Sequence, residues 1–239
     1  MVLLLAGETL WSLVRTSHRG RTCHRKIFSP EKTTLIRNFP IVSQFPRPSG
    51  DYQQRSKKVI YVGLLSHPRG AIEMAEAARI ANAGGRFKMI FAGDFSPLSL
   101  RDKIVNHYPV EYIQWMEFSK VIELMMDSRA GMIIPHPIER YTTNYPIKLF
   151  EYMAAGLPVI ASKFGESARF VNEAQSGMVV DPLKPVEIAD AIQWLLDHPA
   201  EAGEMGARGR RFVEEKWNWE NESKVLIDLY QKLFLKKII

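Results

Sequence analysis

Val59-Ile60-Tyr61-Val62-Gly63, an alanine-rich run over 71–83, the pair Gly84-Gly85, and then an apolar run over 87–92 closed by Gly93-Asp94 form the stretch that decides the fold. Each apolar run is short and ends at glycine, the pattern of a strand buried on both faces. The alanines between them sustain a helix. Gly84-Gly85 ends it by supplying the backbone freedom that a helix C-terminus needs. A strand, a helix and a second strand in this order form a right-handed crossover between parallel strands.

The alternation continues downstream. The spacing predicts helices over 97–107, 119–128 (with Ser119 as its cap), 146–155 and 167–174, and strands over 110–115, 131–134, 158–161 and 178–180. Pro146 falls in the first turn of its helix and Gly156 just past its end, as the chemistry of helix ends favours. Three further helices are expected over 185–197, 199–216 and 219–235. The fold class is α/β, a doubly wound parallel sheet with extra C-terminal helices. Upstream, residues 33–37 read as a short strand ended by Asn38-Phe39-Pro40. Residues 41–56 carry Pro46, Pro48, Ser49 and Gly50, the composition of a linker. The expected organisation is an arm, junction and linker over 1–56 and a domain over 57–239.

The chain has 239 residues, 46% hydrophobic and 24% charged, which is globular usage and excludes collagen-like and disordered classes. No apolar run approaches the ~20 residues of a membrane-spanning helix. The one cysteine, Cys23, excludes a disulfide framework and a multi-cysteine zinc site, and suits a reducing cytoplasm. Residues 1–50 hold eight Lys/Arg against two Asp/Glu, whereas the remainder holds 24 of each sign. A neutral body argues against a nucleic-acid surface. In the arm, Arg15, Arg19, Arg21, Arg25 and Lys26 lie near Leu3–Leu5 and Trp11. That stretch reads either as a solvated segment or as a peripheral membrane contact. Met1–Gly7 has neither a basic start nor a clean cleavage pattern, so no signal peptide is expected.

A doubly wound sheet binds its ligand at the carboxyl ends of its strands. After the first strand comes Gly63-Leu64-Leu65-Ser66-His67-Pro68-Arg69-Gly70, not G-x-G-x-x-G, so a nicotinamide enzyme is a poor fit; a P-loop lysine motif is missing too. Arg69, just before the first helix, is placed either to grip a diphosphate or to make a structural surface bond. The most informative loop is Pro135-His136-Pro137-Ile138-Glu139-Arg140-Tyr141-Thr142-Thr143-Asn144-Tyr145-Pro146, which runs straight into a helix. Helix N-termini bind phosphate through unpaired N–H groups. Lys148 sits in that first turn, where a cation is disfavoured unless an anion is near. Glu151 shares its face, placed either for ribose hydroxyls or for an ion pair with Lys148. His67, His107 and His136 read as loop or helix-end residues. Met125, Met126 and Met153 read as core. No acidic metal cluster is present, so no metal or other cofactor is expected.

Residues 58–234 resemble the C-terminal, donor-binding half of the retaining GT-B glycosyltransferases of family 4, bacterial surface-polysaccharide type. The carrying residues are Tyr61-Val62-Gly63, Arg69-Gly70, Phe91-Ala92-Gly93 and the long block from Tyr145-Pro146-Ile147-Lys148-Leu149-Phe150-Glu151-Tyr152 to Val159-Ile160. Gly177 to Pro182, Met205-Gly206 with Gly209-Arg210, and Asn218-Trp219 add to them, and Ile36-Arg37-Asn38-Phe39-Pro40 is similar to the family's interdomain junction. The resemblance implies a Rossmann-like domain that binds a nucleotide-sugar, with a saccharide or lipid-linked acceptor; the expected location is the cytoplasm, with the inner face of the membrane as the alternative. It matches Arg69 to the basic residue on the diphosphate and Glu151 to the second glutamate of E-x7-E. Gly63, Thr143, Asn144, Tyr145 and Lys148 complete the implied donor site; no catalytic residue is assigned. Two positions depart from the family: Leu64 replaces a basic residue, and Thr143 falls where the first glutamate stands. The family's acceptor half is missing apart from its junction. The expected activity is transfer of a sugar from a nucleotide-sugar with retention; the alternative is a non-catalytic donor-binding module or truncated product that needs a separate acceptor-half subunit.

Overall fold

The computed structural model describes residues 4–7, 10–13, 34–48 and 50–235. Strands β1 (Leu4–Gly7) and β2 (Leu10–Leu13) pair antiparallel. The remainder of the basic arm, with the solvated-or-membrane reading attached to it, lies outside the described residues.

Six parallel strands form the main sheet: β3 (Lys58–Val62), β5 (Lys88–Ala92), β7 (Val110–Ile113), β8 (Ala130–Ile133), β9 (Val159–Ser162) and β10 (Gly177–Val180). Short β4 (Leu65–Ser66) and β6 (Phe95–Ser96) pair with each other beyond the ends of β3 and β5. Helices α1 (Ala71–Ala81), α2 (Leu98–His107), α3 (Phe118–Met126), α4 (Glu139–Thr142), α5 (Ile147–Ala154), α6 (Gly165–Ala174), α7 (Pro185–Asp197), α8 (Pro199–Glu215) and α9 (Trp219–Leu235) complete the order. From residue 58 onward the expected strands and helices are present, most with ends moved by one or two residues. The helix expected to start at Ser119 starts at Phe118, and its cap position is Glu117.

The strand order is β10-β9-β8-β3-β5-β7. The chain therefore winds outward from β3 in one direction, then returns to the other side of β3 with β8. The switch point lies between β3 and β8, and such a point opens a crevice at the carboxyl ends. Here the opening is visible in the register. β3 pairs with β5 along its whole length but with β8 only at Val59↔Ala130 and Ile60↔Gly131. Beyond Ile60 the two strands part, and the Val62 N–H donates instead to the Tyr152 hydroxyl of α5 at 2.9 Å. Tyr152 is fully buried, and its ring lies against Gly131 so closely that a Cβ there would sit 2.7 Å from it.

Apolar side chains of α1, α2 and α7 pack on one face of the sheet, those of α3, α5 and α6 on the other, and α8 reaches both. Met125 and Met153 are core, as the sequence implied, and Met126 is partly buried against it. Residues 34–37 do not form a strand. Their polar groups are met by a helix instead: the Arg37 N–H donates to the Glu222 carboxylate of α9 at 2.6 Å. Nor is 41–56 a free tether. Proline and glycine there do exclude strand and α-helix, yet Val42 and Phe45, with Phe39 just before them, are buried on the sheet face that carries α3, α5 and α6. Each such side chain contributes about 1.5–3 kcal/mol of burial. Glu220 accepts from the Val42 and Ser43 N–H groups. Arg129 donates to the carbonyls of Gln53 and Arg55, and Tyr52 donates to the carbonyl of Arg129. On α9, Leu229 is buried while Val225, Ile227 and Phe234 are exposed.

Tyr152→Phe removes only the hydroxyl and leaves the Val62 N–H buried without an acceptor. It should lower stability by about 1–3 kcal/mol. Urea unfolding reads this directly, and an unchanged midpoint would show that the bond holds nothing in place.

Candidate functional site

Two crossovers meet at the switch point. The first leaves β3 at Gly63, whose φ of +137° suits glycine. It passes through a 3-10 turn over His67–Arg69 and enters α1. The Arg69 guanidinium lies over this turn. Its Nη1 is 3.4 Å from the Leu64 carbonyl, which also accepts from the Tyr61 hydroxyl at 2.9 Å. Partial burial works to lower the Arg69 pKa. Hydrogen bonds and charge interactions with Tyr141 and Tyr61 outweigh it and leave the pKa raised.

Tyr141 belongs to the second crossover, the loop from β8 to α5. Its contact with Arg69 therefore joins the two segments that the sequence singled out separately. The His136 N–H adds a backbone link, donating to the Pro68 carbonyl at 2.9 Å. The sequence singled out Arg69, with Tyr61 as part of a family likeness and Tyr141 as part of the loop, but not the pairing of either tyrosine with the guanidinium. Neither has a spacing signal, and only the fold brings them to the guanidinium.

α5 begins at Ile147 with Pro146 as its cap position and no side-chain cap. The Leu149 N–H donates to the Pro146 carbonyl at 3.0 Å, which leaves the Ile147 and Lys148 N–H groups without a partner inside the helix. Lys148 and Glu151 do share a face, and Lys148 Nζ sits 2.6 Å from Glu151 Oε2. Glu151 is buried and Lys148 is one-third exposed. Of the two arrangements the sequence allowed, the intrahelical ion pair is the one formed, and it accounts for a lysine in this unfavourable position. An ammonium has three donors, so the pair leaves Lys148 able to meet a further anion. Lys148 also lies 6.0 Å from the ring of Phe118, which opens α3 after β7.

The remaining loop residues divide. Thr143 Oγ1 is buried with no hydrogen-bond partner. Asn144 is partly buried beside it. The Tyr145 ring turns inward, 6.3 Å from Phe39 and 5.5 Å from Phe170, so the aromatic cluster holds its side chain. Among the described residues, no three His, Cys, Asp or Glu side chains gather as a metal ion would require, and no helix is long and apolar enough to cross a membrane.

A family model, glycosyl transferases group 1, matches residues 56–198. The chain belongs to this family. The D-rhamnosyltransferase WbpZ of Pseudomonas aeruginosa is 30% identical over 190 residues, which cover 74% of this chain and 47% of that protein. Among solved structures, HepE of Anabaena in complex with UDP-glucose aligns with a TM-score of 0.72 at 16% identity, over 91% of this chain and 63% of that one. The C-terminal domain of the group 1 glycosyl transferase LpcC of Francisella tularensis aligns with a TM-score of 0.64 at 16% identity, over 75% of this chain and 98% of that one. The chain thus spans less than half the length of WbpZ. Its fold is the Rossmann-like half of a GT-B glycosyltransferase.

Lys148→Ala leaves the buried Glu151 carboxylate without its cation. It should cost about 1–3 kcal/mol. Adding Glu151→Gln to the same chain should restore most of the loss, because the stranded charge is gone. Urea unfolding of the single and double variants checks both, and a double variant no better than the single would refute the pairing.

Proposed function

We propose that this chain is the donor half of a retaining glycosyltransferase, binding a nucleotide-sugar whose glycosyl group passes to a saccharide or lipid-linked acceptor. What supports the reading is topology: Arg69 follows β3 and α5, with Lys148 and Glu151, follows β8, and these two strands flank the switch point at the carboxyl edge of the sheet. In this reading the diphosphate lies between the Arg69 guanidinium and the first N–H groups of α5. Lys148 keeps its bond to Glu151 and offers its remaining donors to a phosphate oxygen. Glu151 accepts from ribose hydroxyls. Gly63 presents only backbone to the ligand, and the segment of Thr143 and Asn144, just before α5, borders the sugar. Tyr145, its ring committed to the core, contributes main chain.

The chemistry follows from charge. Cleavage of the anomeric C–O bond leaves the electron pair on the departing nucleoside diphosphate. Arg69, Lys148 and the helix N-terminus stand where that negative charge develops, and groups fixed in advance stabilise it without reorganising. These cations fill the role of a divalent ion, so no metal is assigned. HepE has been solved with UDP-glucose, which supports this ligand class. Nucleotide-sugar use places the work in the cytoplasm, at the inner face of the membrane if the acceptor is a lipid.

A second reading has support of its own. Leu64, Trp115, Phe118 and Ile138, in the loops and helix starts after β3, β7 and β8, are all exposed. Apolar side chains gathered at one edge suit a surface that another domain covers. In that reading the chain binds donor alone, and transfer requires a separate acceptor-binding half. Co-purification with such a half supports it; transfer by this chain alone refutes it.

Calorimetric titration with UDP, GDP and their sugars tests the main reading. At least one should bind with micromolar-to-millimolar affinity, and EDTA should leave the affinity unchanged. Glu151→Ala should weaken binding about tenfold or more, the cost of losing charge-assisted hydrogen bonds. Binding by none of these ligands would reject the donor reading, and undiminished affinity in the variant would remove Glu151 from the site.

A further inference from the structure

Two polar side chains outside the donor contacts meet between the elements that carry Arg69 and Lys148. Glu73 lies in the first turn of α1, just past Arg69. His136 lies in the loop that runs from β8 towards α5. His136 Nε2 and Glu73 Oε1 are 3.1 Å apart, with side chains only 13% and 15% exposed. Their alignment falls short of a hydrogen bond: His136 Nε2 and Glu73 Oε2 are both buried without a hydrogen-bond partner. Buried polar atoms left in this state are rare and each calls for a reason. A favourable interaction with the N-terminus of α1 accounts for a carboxylate at position 73. It does not account for the histidine brought against it from another crossover.

The surroundings repeat the same contact. The main-chain N–H of His136 donates to the Pro68 carbonyl, while the Gly70 N–H closes the turn itself by donating to the His67 carbonyl at 3.0 Å. Gly70 stands so near the other loop that a Cβ on it would lie 2.1 Å from the Ile134 carbonyl oxygen. The His67 ring meets the His136 ring edge-on, with centroids 5.2 Å apart. Side chains and backbone alike therefore press the Arg69 turn onto the loop that feeds α5. Sheet pairing cannot supply this fixing, because β3 and β8 part after Ile60.

We propose that Glu73 and His136 form a positioning clamp that sets the Arg69 turn against the loop leading to α5, so that one diphosphate can be held by both. The proposal rests on the donor reading above. Neither residue touches the donor; both act through Arg69. A small rotation of either side chain completes a charge-assisted bond, so the clamp tightens as a ligand fixes the turn. Placement of this kind matters because small displacements of a binding group cost large factors in rate and affinity.

The test uses the full chain and two readouts. In His136→Ala and Glu73→Ala, amide exchange at position 136, whose main-chain N–H bonds the other crossover, should accelerate about tenfold while the α5 amides keep their rates, the signature of a local opening. Nucleoside diphosphate affinity should fall about five- to tenfold, and His136→Gln, whose amide replaces the ring donor, should stay within about twofold of the native chain. In an Arg69→Ala background, His136→Ala should change affinity by less than about twofold, since coupled residues are not additive. Unchanged exchange in both alanine variants overturns the clamp whatever the binding data show. A full further loss on top of Arg69→Ala overturns the route through Arg69. Failure of the native chain to bind any nucleotide overturns the donor reading and this purpose with it. The exchange readout, which needs no ligand, tells that failure apart from failure of the clamp.

Discussion

The bond from the Val62 N–H to the Tyr152 hydroxyl is the contact on which the site depends. A parallel sheet that reverses its winding must open between two strands, and the opening exposes main-chain groups that would otherwise be paired. Here β8 leaves β3 after Ile60, and Tyr152 takes the vacated place. One hydroxyl thereby ties α5 to the end of β3, one residue before Gly63. The same helix is held at its other end. Arg210 donates to the Ala154 carbonyl and Arg55 to the Ala155 carbonyl, so cations meet the negative end of the helix. With its C-terminal carbonyls satisfied and its middle fixed to the sheet, α5 presents an uncapped N-terminus at the crevice. That end is where an anion is favoured.

The segment before the sheet helps to build this support. Arg210 also donates to the Phe45 carbonyl at 3.0 Å, so residues of the proline-rich stretch and the C-terminus of α5 share one guanidinium. Phe39 packs edge-on to Phe150 of α5 at 4.8 Å and to Trp217 at 5.4 Å. Composition foretold that this stretch would lack regular structure. It could not foretell the packing, because burial depends on partners more than a hundred residues away. The motif Gly209-Arg210, noted in the sequence only as a likeness to a family, has a structural task here: its arginine closes the end of the helix that carries the site.

Strand and helix identity was legible because it is local. Apolar runs ended by glycine and the alanine-rich run of α1 give their periodicity away, and α7 occupies the range expected of it. The strand order was not legible, since no residue pattern says on which side of β3 the chain returns. The same division runs through the site. Arg69, Lys148 and Glu151 could be named from their positions relative to strand and helix ends. Tyr61, Tyr141, Glu73 and His136 could not, because their contacts exist only once two crossovers have been brought edge to edge. Lys148 was legible as an anomaly, a cation in the wrong turn. The fold resolves the anomaly with a carboxylate three residues on, without using all of its donors.

The central claim is that the phosphates of an activated sugar settle at the start of α5 under Arg69. A crystal structure of this chain with a bound nucleoside diphosphate measures it most directly. The account predicts phosphate oxygens within about 2.7–3.2 Å of the Ile147 or Lys148 N–H groups and of the Arg69 guanidinium. A diphosphate bound elsewhere on the molecule, with those groups left facing solvent, would contradict it.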